Sequence, residues 1–392
     1  MIIQPKIRGF ICTTAHPVGC EKNVRDQIEK AKLVHSGITQ STLVLGASTG
    51  YGLASMITAA FSCHAKTIGV SFDRPANPDK KRTATAGWYN MAAFAREAER
   101  AGLEHHSVIG DAFSDECKQK VIECIRNTVG KVDTVIYSLA APNRIDPVTG
   151  TRYQSVLKPI GKPYQTKSLN LNNWSVENVE LEAASEEEIQ STIKVMGGED
   201  WRRWIEMLMQ ADVLEENFLT IAYDYVGPAI TFPIYKDGSI GQAKKDLLEK
   251  AGEIQKSGRA FLSVNKAVVT QASAAIPAVP LYISLLFKTM KEKNVHEECI
   301  DQMIRMFQKL GSGKLNLDEA GRIRMDDWEM RDDVQQEVLA NWDAVTDDNL
   351  KELADIEGFT GEFVSLFGFG RNDVDYGEDI EPMVDILHSL IL

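Results

Sequence analysis

Three glycines between a short apolar run and a helical stretch constrain the fold of this chain more than any other feature. The segment Gly46-Ala47-Ser48-Thr49-Gly50-Tyr51-Gly52 follows a predicted strand, Thr42 to Leu45, and precedes a predicted helix, Leu53 to Phe61. Glycines at such a junction let the backbone turn tightly and approach a pyrophosphate, whose charge meets free N–H groups and the positive end of the helix dipole. This context favours a dinucleotide site over a plain strand-to-helix connection.

Strand-like and helical segments alternate from about residue 41 to residue 140 and again from about residue 199 to residue 264. This spacing predicts right-handed crossovers and a parallel sheet with helices on both faces, so the fold class is α/β with a doubly wound sheet. Beyond the first strand and helix, the predicted strands span 66–72, 106–109, 132–138, 219–222 and 260–264, and the predicted helices span 88–101, 114–128, 199–211 and 239–254.

The remaining segments read as additions to this core. Residues 143–200 are polar, then acidic, and show no strong periodicity, while the chain after Pro280 is mainly helical with a predicted hairpin from Leu315 to Met325. We therefore predict one elaborated domain over 1–392. Its cofactor core comprises 41–142 and 215–275, and 143–214 with 276–392 form an insertion and helical elements that cover the substrate.

The net charge of -13 limits the classes of partner. A surface this acidic repels phosphate backbones and anionic lipid, so we expect neither nucleic acid nor membrane as partners. The six scattered cysteines of this long chain indicate reduced thiols and a cytoplasmic location. Cys12, His16 and Cys20 lack the paired Cys-x-x-Cys spacing of a metal site, so no metal is predicted. The apolar segment from Ala267 to Met290 is interrupted by polar residues and prolines, which predicts buried protein.

Small and acidic residues follow the other predicted strands of the core. Phe72-Asp73 ends the second strand, where a carboxylate accepts hydrogen bonds from the adenosine ribose and repels a ribose phosphate, favouring NADH over NADPH. Arg74 weakens that preference. Asp111-Ala112 follows the third strand, near the expected adenine, and Leu139-Ala140 follows the fourth, beside the expected nicotinamide half. Their shared place at the carboxyl ends of parallel strands makes them one candidate cofactor site.

Tyr225, Tyr235 and Lys244 are the candidate catalytic residues. On one continuous helix the nine residues from Tyr235 to Lys244 turn through about 900°, half a turn out of phase. The glycines of Asp237-Gly238-Ser239-Ile240-Gly241 break the chain, and Ser239 is predicted to cap a new helix that carries Lys244, with Tyr235 on the loop before it. A phenol donor stabilises the negative oxygen that forms when hydride adds to an unsaturated thioester, and a nearby ammonium lowers the phenol pKa. A core tyrosine and a surface lysine remain the alternative.

These residues, together with several longer motifs, match a known family. The sequence resembles the FabV-class enoyl-acyl-carrier-protein reductases, which merge with the bacterial NADH-dependent trans-2-enoyl-CoA reductases. The resemblance covers nearly the whole chain and includes, besides the glycine turn, Gly9-Phe10-Ile11-Cys12, Ala15-His16-Pro17, Gly87-Trp88-Tyr89-Asn90, Gly110-Asp111-Ala112-Phe113-Ser114, Val195-Met196-Gly197-Gly198-Glu199-Asp200-Trp201, Ser263-Val264-Asn265-Lys266 and Met290-Lys291-Glu292-Lys293.

The resemblance implies an enlarged short-chain-dehydrogenase-like Rossmann fold. It also implies a role for each of several residues. Tyr235 is the proton donor, Lys244 holds the cofactor and Tyr225 is a partner of the substrate carbonyl. Val268-Val269-Thr270 touches the nicotinamide, and the segment through Ile276-Pro277 lines the acyl pocket, although a core helix would look the same. Many members carry Glu where this chain has Asp73, which leaves discrimination against NADPH less strict.

The predicted activity is NADH-dependent reduction of enoyl thioesters, carried by acyl carrier protein or coenzyme A, in fatty-acid biosynthesis. The resemblance favours a monomer. Two other readings stay open. A carbonyl reductase of the short-chain type would place Lys four residues after its Tyr, whereas Ser239 follows Tyr235 at that distance. A non-catalytic NADH sensor would have no use for Tyr235 and Lys244.

Overall fold

The computed structural model describes residues 1–8, 11–271, 273 and 276–392, so Gly9 and Phe10 of the N-terminal motif lie outside the described residues. The strands in chain order are β1 (Ile7–Arg8), β2 (Ile11–Cys12), β3 (Ser41–Leu45), β4 (Lys66–Ser71), β5 (His105–Ile109), β6 (Val132–Tyr137), β7 (Asn143–Ile145), β8 (Arg152–Gln154), β9 (Tyr164–Asn170), β10 (Ser175–Leu181), β11 (Leu214–Asp224), β12 (Arg259–Val264), β13 (Ile323–Arg324) and β14 (Ser389–Ile391). The helices are α1 (Pro17–Lys32), α2 (Gly50–Cys63), α3 (Ala86–Arg100), α4 (Asp115–Asn127), α5 (Glu186–Met196), α6 (Glu199–Gln210), α7 (Phe232–Tyr235), α8 (Ser239–Ile254), α9 (Val279–Glu292), α10 (Cys299–Ser312), α11 (Asp332–Ala344), α12 (Leu350–Leu353) and α13 (Ile356–Ser365).

An eight-stranded sheet with the order β13-β12-β11-β6-β3-β4-β5-β14 forms the centre of the molecule. Every neighbouring pair in it is parallel, which confirms the predicted parallel sheet. Leu45 at the end of β3 lies opposite Val70 in β4 and Tyr137 in β6. The chain leaves β3 toward β4 and later places β6 on the other side, so the carboxyl end of β3 is a topological switch point.

Successive residues of the central strands enter two different cores, one on each face of the sheet. Val44 packs in the core that includes residues of α1, α2, α3, α9 and α10. Leu43 and Leu45 pack in the core that includes residues of α4, α6 and α8. This alternation follows from the two-residue period of a strand. Helices therefore cover both faces, and the doubly wound α/β prediction is confirmed.

Helix α2 is buried from Gly52 to Ser62. Its residues are small or apolar around most of its circumference, as expected of a helix packed between the sheet and a further helical layer. The same layer contains α9, which is buried from Val279 to Phe287. The apolar segment before Met290 thus forms part of the core, as predicted. Within the described ranges, no helix combines the length and apolar content that crossing a bilayer requires.

Residues 143–200, an insertion without strong periodicity in the sequence, nevertheless form regular structure. The chain there forms two antiparallel hairpins, β7 with β8 and β9 with β10, followed by α5. Most residues of β10 are half-buried or exposed, so its sequence lacks the apolar alternation of a strand that faces a core. Tyr164 donates a hydrogen bond to the Ile230 carbonyl at 2.8 Å, and Lys167 donates to the Trp342 carbonyl at 2.8 Å. These bonds tie the second hairpin to the segment before α7 and to the end of α11.

Short strands complete both edges of the sheet, and the sequence did not predict them. Of the hairpin expected from Leu315 to Met325, only Leu317 and Ile323 pair antiparallel, while β13 joins β12 in parallel. At the opposite edge β14 pairs with β5. Strands of two or three residues are too short to show a period, so only their partners define them.

Candidate active site

The glycine turn lies directly against the end of β6. Gly46 has a φ of +85°, and a Cβ there would lie 2.2 Å from the Ser138 carbonyl oxygen. A Cβ on Gly52 would lie 1.9 Å from the Gly46 carbonyl oxygen. The turn and the start of α2 are therefore too close to neighbouring backbone for any side chain. Leu139 follows Ser138 at the end of β6, and its Cδ2 would lie 3.2 Å from a Cβ placed on Gly46.

The first turn of α2 faces open space with unused donors. Thr49 is the N-cap residue and makes no side-chain capping bond. Nothing lies within 4 Å of a Cβ placed on Gly50. The N–H groups of a helix start lack intrahelical partners and carry the positive end of the dipole, so this position suits an anionic group. The buried amide of Asn90 donates a hydrogen bond to the Ser48 carbonyl at 2.9 Å and braces the turn from α3.

Asp73 lies beside the turn with one oxygen used and one unused. Thr85 donates a hydrogen bond to Asp73 Oδ1 at 2.7 Å, whereas Oδ2 is buried without a partner among the described residues. A Cβ on Gly87 would lie 2.4 Å from Asp73 Oδ1, so only glycine fits there. The Phe72 ring is 81% exposed. A buried carboxylate oxygen in need of donors is compatible with a ribose and its hydroxyls, the ligand predicted for this position.

Two cavities share Thr270 in their lining. The larger, of about 730 Å³, has Thr49, Gly50, Asp73 and Thr270 among its lining residues. The smaller, of about 150 Å³, is lined by a mixed set of aromatic, polar and apolar residues: Tyr51, Asp224, Tyr225, Tyr235, Asn265, Lys266, Ala267, Val268, Thr270, Ser273, Val279 and Ile283. Thr270 borders both cavities, so the space beside the glycine turn and the space beside the two tyrosines are neighbours.

The predicted residues after β5 are engaged within the protein. Asp111 Oδ1 accepts a hydrogen bond from the Phe113 N–H at 3.0 Å. Ala112 is buried, and its carbonyl accepts from Lys118 Nζ at 2.9 Å and from Trp204 Nε1 at 3.1 Å. Asp111 therefore keeps its second oxygen for a ligand, whereas the carbonyl of Ala112 is already used.

The structure brings Tyr225 and Tyr235 together. Their rings meet edge to face with centroids 4.8 Å apart, and both line the smaller cavity. The prediction that Tyr235 lies on a loop is wrong, because it is the last residue of the short helix α7. This helix and α8 form a tight corner, in which a Cβ on Gly241 would lie 2.0 Å from the Lys236 carbonyl oxygen.

The predicted cap of α8 is also wrong. The N-cap residue is Gly238, which has no side chain to accept a bond. The hydroxyl of Ser239 instead donates to the Val156 carbonyl at 2.6 Å and accepts from the Lys158 N–H at 3.2 Å. The hydroxyl that was expected to cap the helix is thus hydrogen-bonded to the inserted segment, whose structure the sequence did not predict.

Lys244 belongs to α8, and its side chain contacts the backbone near the end of β11. Its Nζ donates a hydrogen bond to the Tyr223 carbonyl at 2.8 Å. Burial lowers the pKa of Lys244, and the neighbouring Asp224 carboxylate opposes that shift. Burial also raises the pKa of Tyr235, so the lowering that we expected from Lys244 is not seen. The phenol is held in its protonated form, which is the form that donates.

The apolar side of the smaller cavity comes from α9. Val279 and Ile283 line it, one helical turn apart. Ile276 is buried and Pro277 half-buried just before this helix, but neither is among the described lining residues. The predicted residues Ile276 and Pro277 are therefore not brought to this cavity, whereas Val279 and Ile283 of the following helix are.

Asn265 is a site residue to which the sequence assigned no role. Its backbone N–H donates to the Asp224 carbonyl at 2.9 Å, and its side-chain Oδ1 accepts from Ser263 at 2.7 Å. Asn265 is among the residues that line the smaller cavity. Its Nδ2 is buried and has no hydrogen-bond partner among the described residues. The only sequence signal was its place in the motif Ser263-Val264-Asn265-Lys266. An orphan donor here and the orphan acceptor of Asp73 are each the kind of group that a ribose hydroxyl can pair with.

Comparison with known proteins identifies relatives over the whole chain. Family models match as the trans-2-enoyl-CoA reductase catalytic region over residues 82–310 and as the NAD(P)H binding domain of trans-2-enoyl-CoA reductase over residues 2–78. A trans-2-enoyl-CoA reductase (NADH) of Clostridium perfringens is 54% identical, covering 97% of this chain and 99% of that protein. An enoyl-acyl-carrier-protein reductase (NADH) of Idiomarina loihiensis is 53% identical, covering 98% and 100%. The crystal structure of Treponema denticola trans-2-enoyl-CoA reductase in complex with NAD superposes with a TM-score of 0.94 at 45% identity, covering 98% and 99%.

A third family model, described as an enoyl reductase FAD binding domain, matches residues 317–380. A cavity of about 860 Å³ in this region is lined by Asp347, Asp348 and Glu357 against one cation, Lys351. Three carboxylates repel the pyrophosphate of FAD. The residues that line this cavity do not fit a flavin dinucleotide.

Gly46→Ala should lower the free energy of unfolding by more than Gly130→Ala. The two glycines have nearly equal φ angles, +85° and +82°, but nothing lies within 4 Å of a Cβ on Gly130. The left-handed backbone alone costs about 1–2 kcal/mol in each variant. The contact with the Ser138 carbonyl should add about 1–3 kcal/mol in Gly46→Ala. Urea unfolding measures both, and equal losses would show that the turn does not press against β6.

Proposed function

Because this chain belongs to the family of NADH-dependent trans-2-enoyl-CoA and enoyl-acyl-carrier-protein reductases, we propose that Tyr235, Tyr225 and Lys244 carry out its reaction. The enzyme reduces the trans-2 double bond of enoyl thioesters to the saturated acyl thioester, a step of fatty-acid biosynthesis. The observation that carries the residue assignment is the packing of the Tyr225 and Tyr235 rings in a cavity that shares Thr270 with the cavity of the glycine turn.

The proposed cofactor site runs from Asp73 to Thr270. The N–H groups at the start of α2 hold the pyrophosphate, and Asp73 Oδ2 accepts from the adenosine ribose. Asp111 accepts from the adenine, and Leu139-Ala140 borders the nicotinamide half. Val268, Val269 and Thr270 form the other side of the nicotinamide position. NADH, when bound there, supplies the hydride.

Tyr235 is the proposed proton donor. Addition of hydride to the β-carbon of the enoyl group places negative charge on the thioester oxygen, which a phenol O–H stabilises. Burial raises the pKa of Tyr235, so the phenol is protonated at neutral pH and available to donate. Tyr225, in contact with the Tyr235 ring, meets the same oxygen from a second direction.

Lys244 is proposed to hold the cofactor from the end of β11. Its ammonium is anchored on the Tyr223 carbonyl, two residues before Tyr225. Two of its three N–H donors therefore remain for a ribose hydroxyl, since a lysine ammonium has three. Val279 and Ile283 supply the apolar surface on which an acyl chain packs.

The anionic carrier of the thioester is proposed to dock on the rim of the larger cavity. Five cations, Lys6, Arg74, Lys80, Lys81 and Arg82, line this cavity with a single carboxylate, Asp73. Two other basic positions are neutralised, because Lys158 pairs with Glu188 at 2.6 Å and Lys288 pairs with Glu292 at 2.7 Å. In a chain of net charge -13, an unbalanced basic rim next to the reaction cavity attracts the phosphates of coenzyme A or the acidic surface of a carrier protein.

Tyr235→Phe should lower kcat with crotonyl-CoA by at least roughly 100-fold, because general acid catalysis contributes about 10²–10⁴. NADH affinity, measured by fluorescence titration, should stay unchanged, since the ring is kept. Tyr164→Phe is the matched control, because it removes a phenol that donates to the Ile230 carbonyl outside the cavity. Full activity of Tyr235→Phe would refute the assignment of the donor.

Asp73→Asn should shift cofactor preference toward NADPH. The substitution keeps an oxygen for the Thr85 hydroxyl but removes the charge that repels a ribose phosphate. We expect the ratio of kcat/KM for NADH to that for NADPH to fall by about tenfold, equivalent to about 1.4 kcal/mol. Asp79→Asn, on the same loop, removes an exposed charge and should leave the ratio unchanged. The same ratio in both variants would place the ribose elsewhere.

Lys80→Glu with Lys81→Glu should lower kcat/KM for crotonyl-CoA by about tenfold at low ionic strength and saturating NADH, since steering by local charge changes association rates by about 10–10³. Lys158→Glu with Lys288→Glu changes the net charge equally and should have little effect. An uncharged crotonyl thioester should be reduced equally by both variants. Parallel assays with crotonyl-carrier protein show which carrier depends more on the rim, and equal rates in both variants with both carriers would refute the docking site.

A further inference from the structure

A buried carboxyl group, that of Glu329, contacts the hydroxyl of Tyr225 and has no role in the proposed reaction so far. Glu329 is 0% exposed. Its Oε2 accepts a hydrogen bond from the Ala267 N–H at 2.8 Å. Its Oε1 lies 2.6 Å from the Tyr282 hydroxyl and 3.3 Å from the Tyr225 hydroxyl. One carboxyl oxygen is therefore shared between two phenols, of which only Tyr225 lines the reaction cavity.

The direction of most of these hydrogen bonds is fixed by chemistry. A backbone N–H only donates, so Oε2 is an acceptor toward Ala267. The Gln335 amide nitrogen donates to the Tyr282 hydroxyl at 3.2 Å and to the Glu329 backbone carbonyl at 2.7 Å. The Tyr282 oxygen accepts from Gln335, and its hydroxyl donates to Glu329 Oε1 across the shorter of the two phenol contacts. The longer contact, between Tyr225 and Glu329, can run in either direction.

The charge of Glu329 decides that direction. An ionised carboxylate is an acceptor only, so the Tyr225 proton then points to Glu329 and away from the cavity. A neutral carboxylic acid carries its own proton on Oε1 and donates it to the Tyr225 oxygen, while Oε1 still accepts from Tyr282. The Tyr225 proton is then free to point into the cavity, toward a thioester oxygen.

We propose that Glu329 is a positioning residue for the reaction, and that its neutral form orients Tyr225 as a hydrogen-bond donor to the thioester carbonyl. This inference rests on the proposed function, in which that carbonyl lies beside Tyr225. Glu329 does not touch the substrate and exchanges no atoms with it. It acts only through the direction of one hydrogen bond.

The surroundings of Glu329 place both charge forms within reach near neutral pH. Burial raises the pKa of Glu329 to about 7, opposed by the hydrogen bonds from Tyr282 and Ala267. The charged and titratable groups that face it are Tyr51 from α2, Tyr225 at the end of β11, Tyr282 from α9, Lys266 after β12, which lowers its pKa, and Asp326 on its own loop, which raises it. Gln335 from α11 is uncharged. As the pH rises through about 7, Glu329 ionises and the productive orientation of Tyr225 is lost.

The pH dependence of kcat/KM for crotonyl-CoA, at saturating NADH, tests this proposal. In the natural enzyme it should fall above an inflection near pH 7, by up to about tenfold per pH unit. Glu329→Gln removes the titrating group, so this inflection should disappear. Tyr225→Phe removes the hydroxyl that Glu329 orients and should lose the same inflection. NADH affinity should stay unchanged in both variants.

Tyr282→Phe is the matched variant, because it removes a neighbouring phenol and leaves the carboxyl in place. Loss of the Tyr282 O–H removes a bond that stabilises the charged form, so the pKa of Glu329 rises and the inflection moves to higher pH. A merely structural network would lower the rate by one factor at every pH and leave the inflection in place.

An unchanged inflection in Glu329→Gln would overturn the proposal. If that variant does not fold, Tyr282→Phe decides: a shift to higher pH supports the proposal, and an unshifted inflection overturns it. Failure of the natural enzyme to reduce any enoyl thioester would instead refute the proposed function, so the two outcomes are distinguishable.

Discussion

The close approach of the Gly46 backbone to the Ser138 carbonyl is the constraint on which the cofactor side of the molecule depends. It follows from the parallel pairing of β3 with β6, which brings both strand ends to one edge of the sheet. The chain turns there without a side chain and enters α2 with its first N–H groups facing open space. Asp73, at the end of the next strand, reaches the same edge. The proposed dinucleotide site thus depends on strand register, glycine and one acid, on a frame stabilised by apolar cores on both faces.

Burial accounts for the chemistry of the second half of the site. Tyr225, Tyr235 and Lys244 lie at or near the end of β11, where packed side chains exclude most of the water. Burial raises the pKa of both phenols and so favours their neutral form, whereas the lowering of the Lys244 pKa by burial is opposed by the Asp224 carboxylate. Neutral phenols donate hydrogen bonds, and donors held in place before the reaction stabilise an oxygen anion without reorganising.

The sequence predicted the features that local signals encode. The turn at Gly46, the strands of the core and the pairing of an acid with the second strand all depend on neighbours within a few residues. The hairpins in 143–214 were missed because their strands are largely solvated, and β14 because its identity comes from β5. Ser239 was assigned to a cap because its contact with Val156 is distant in sequence. Glu329 carried no local signal, since its role depends on three segments that meet only in the folded chain.

The central claim is that the Tyr235 hydroxyl and the thioester oxygen meet beside the nicotinamide. The most direct measurement is a crystal structure of this enzyme with NAD and a saturated butyryl thioester. The account predicts a distance of about 2.6–3.2 Å between the Tyr235 hydroxyl and the thioester oxygen, with the Tyr225 hydroxyl at the same oxygen. A thioester oxygen held by other groups, with Tyr235 separated from it by packed side chains, would contradict the account.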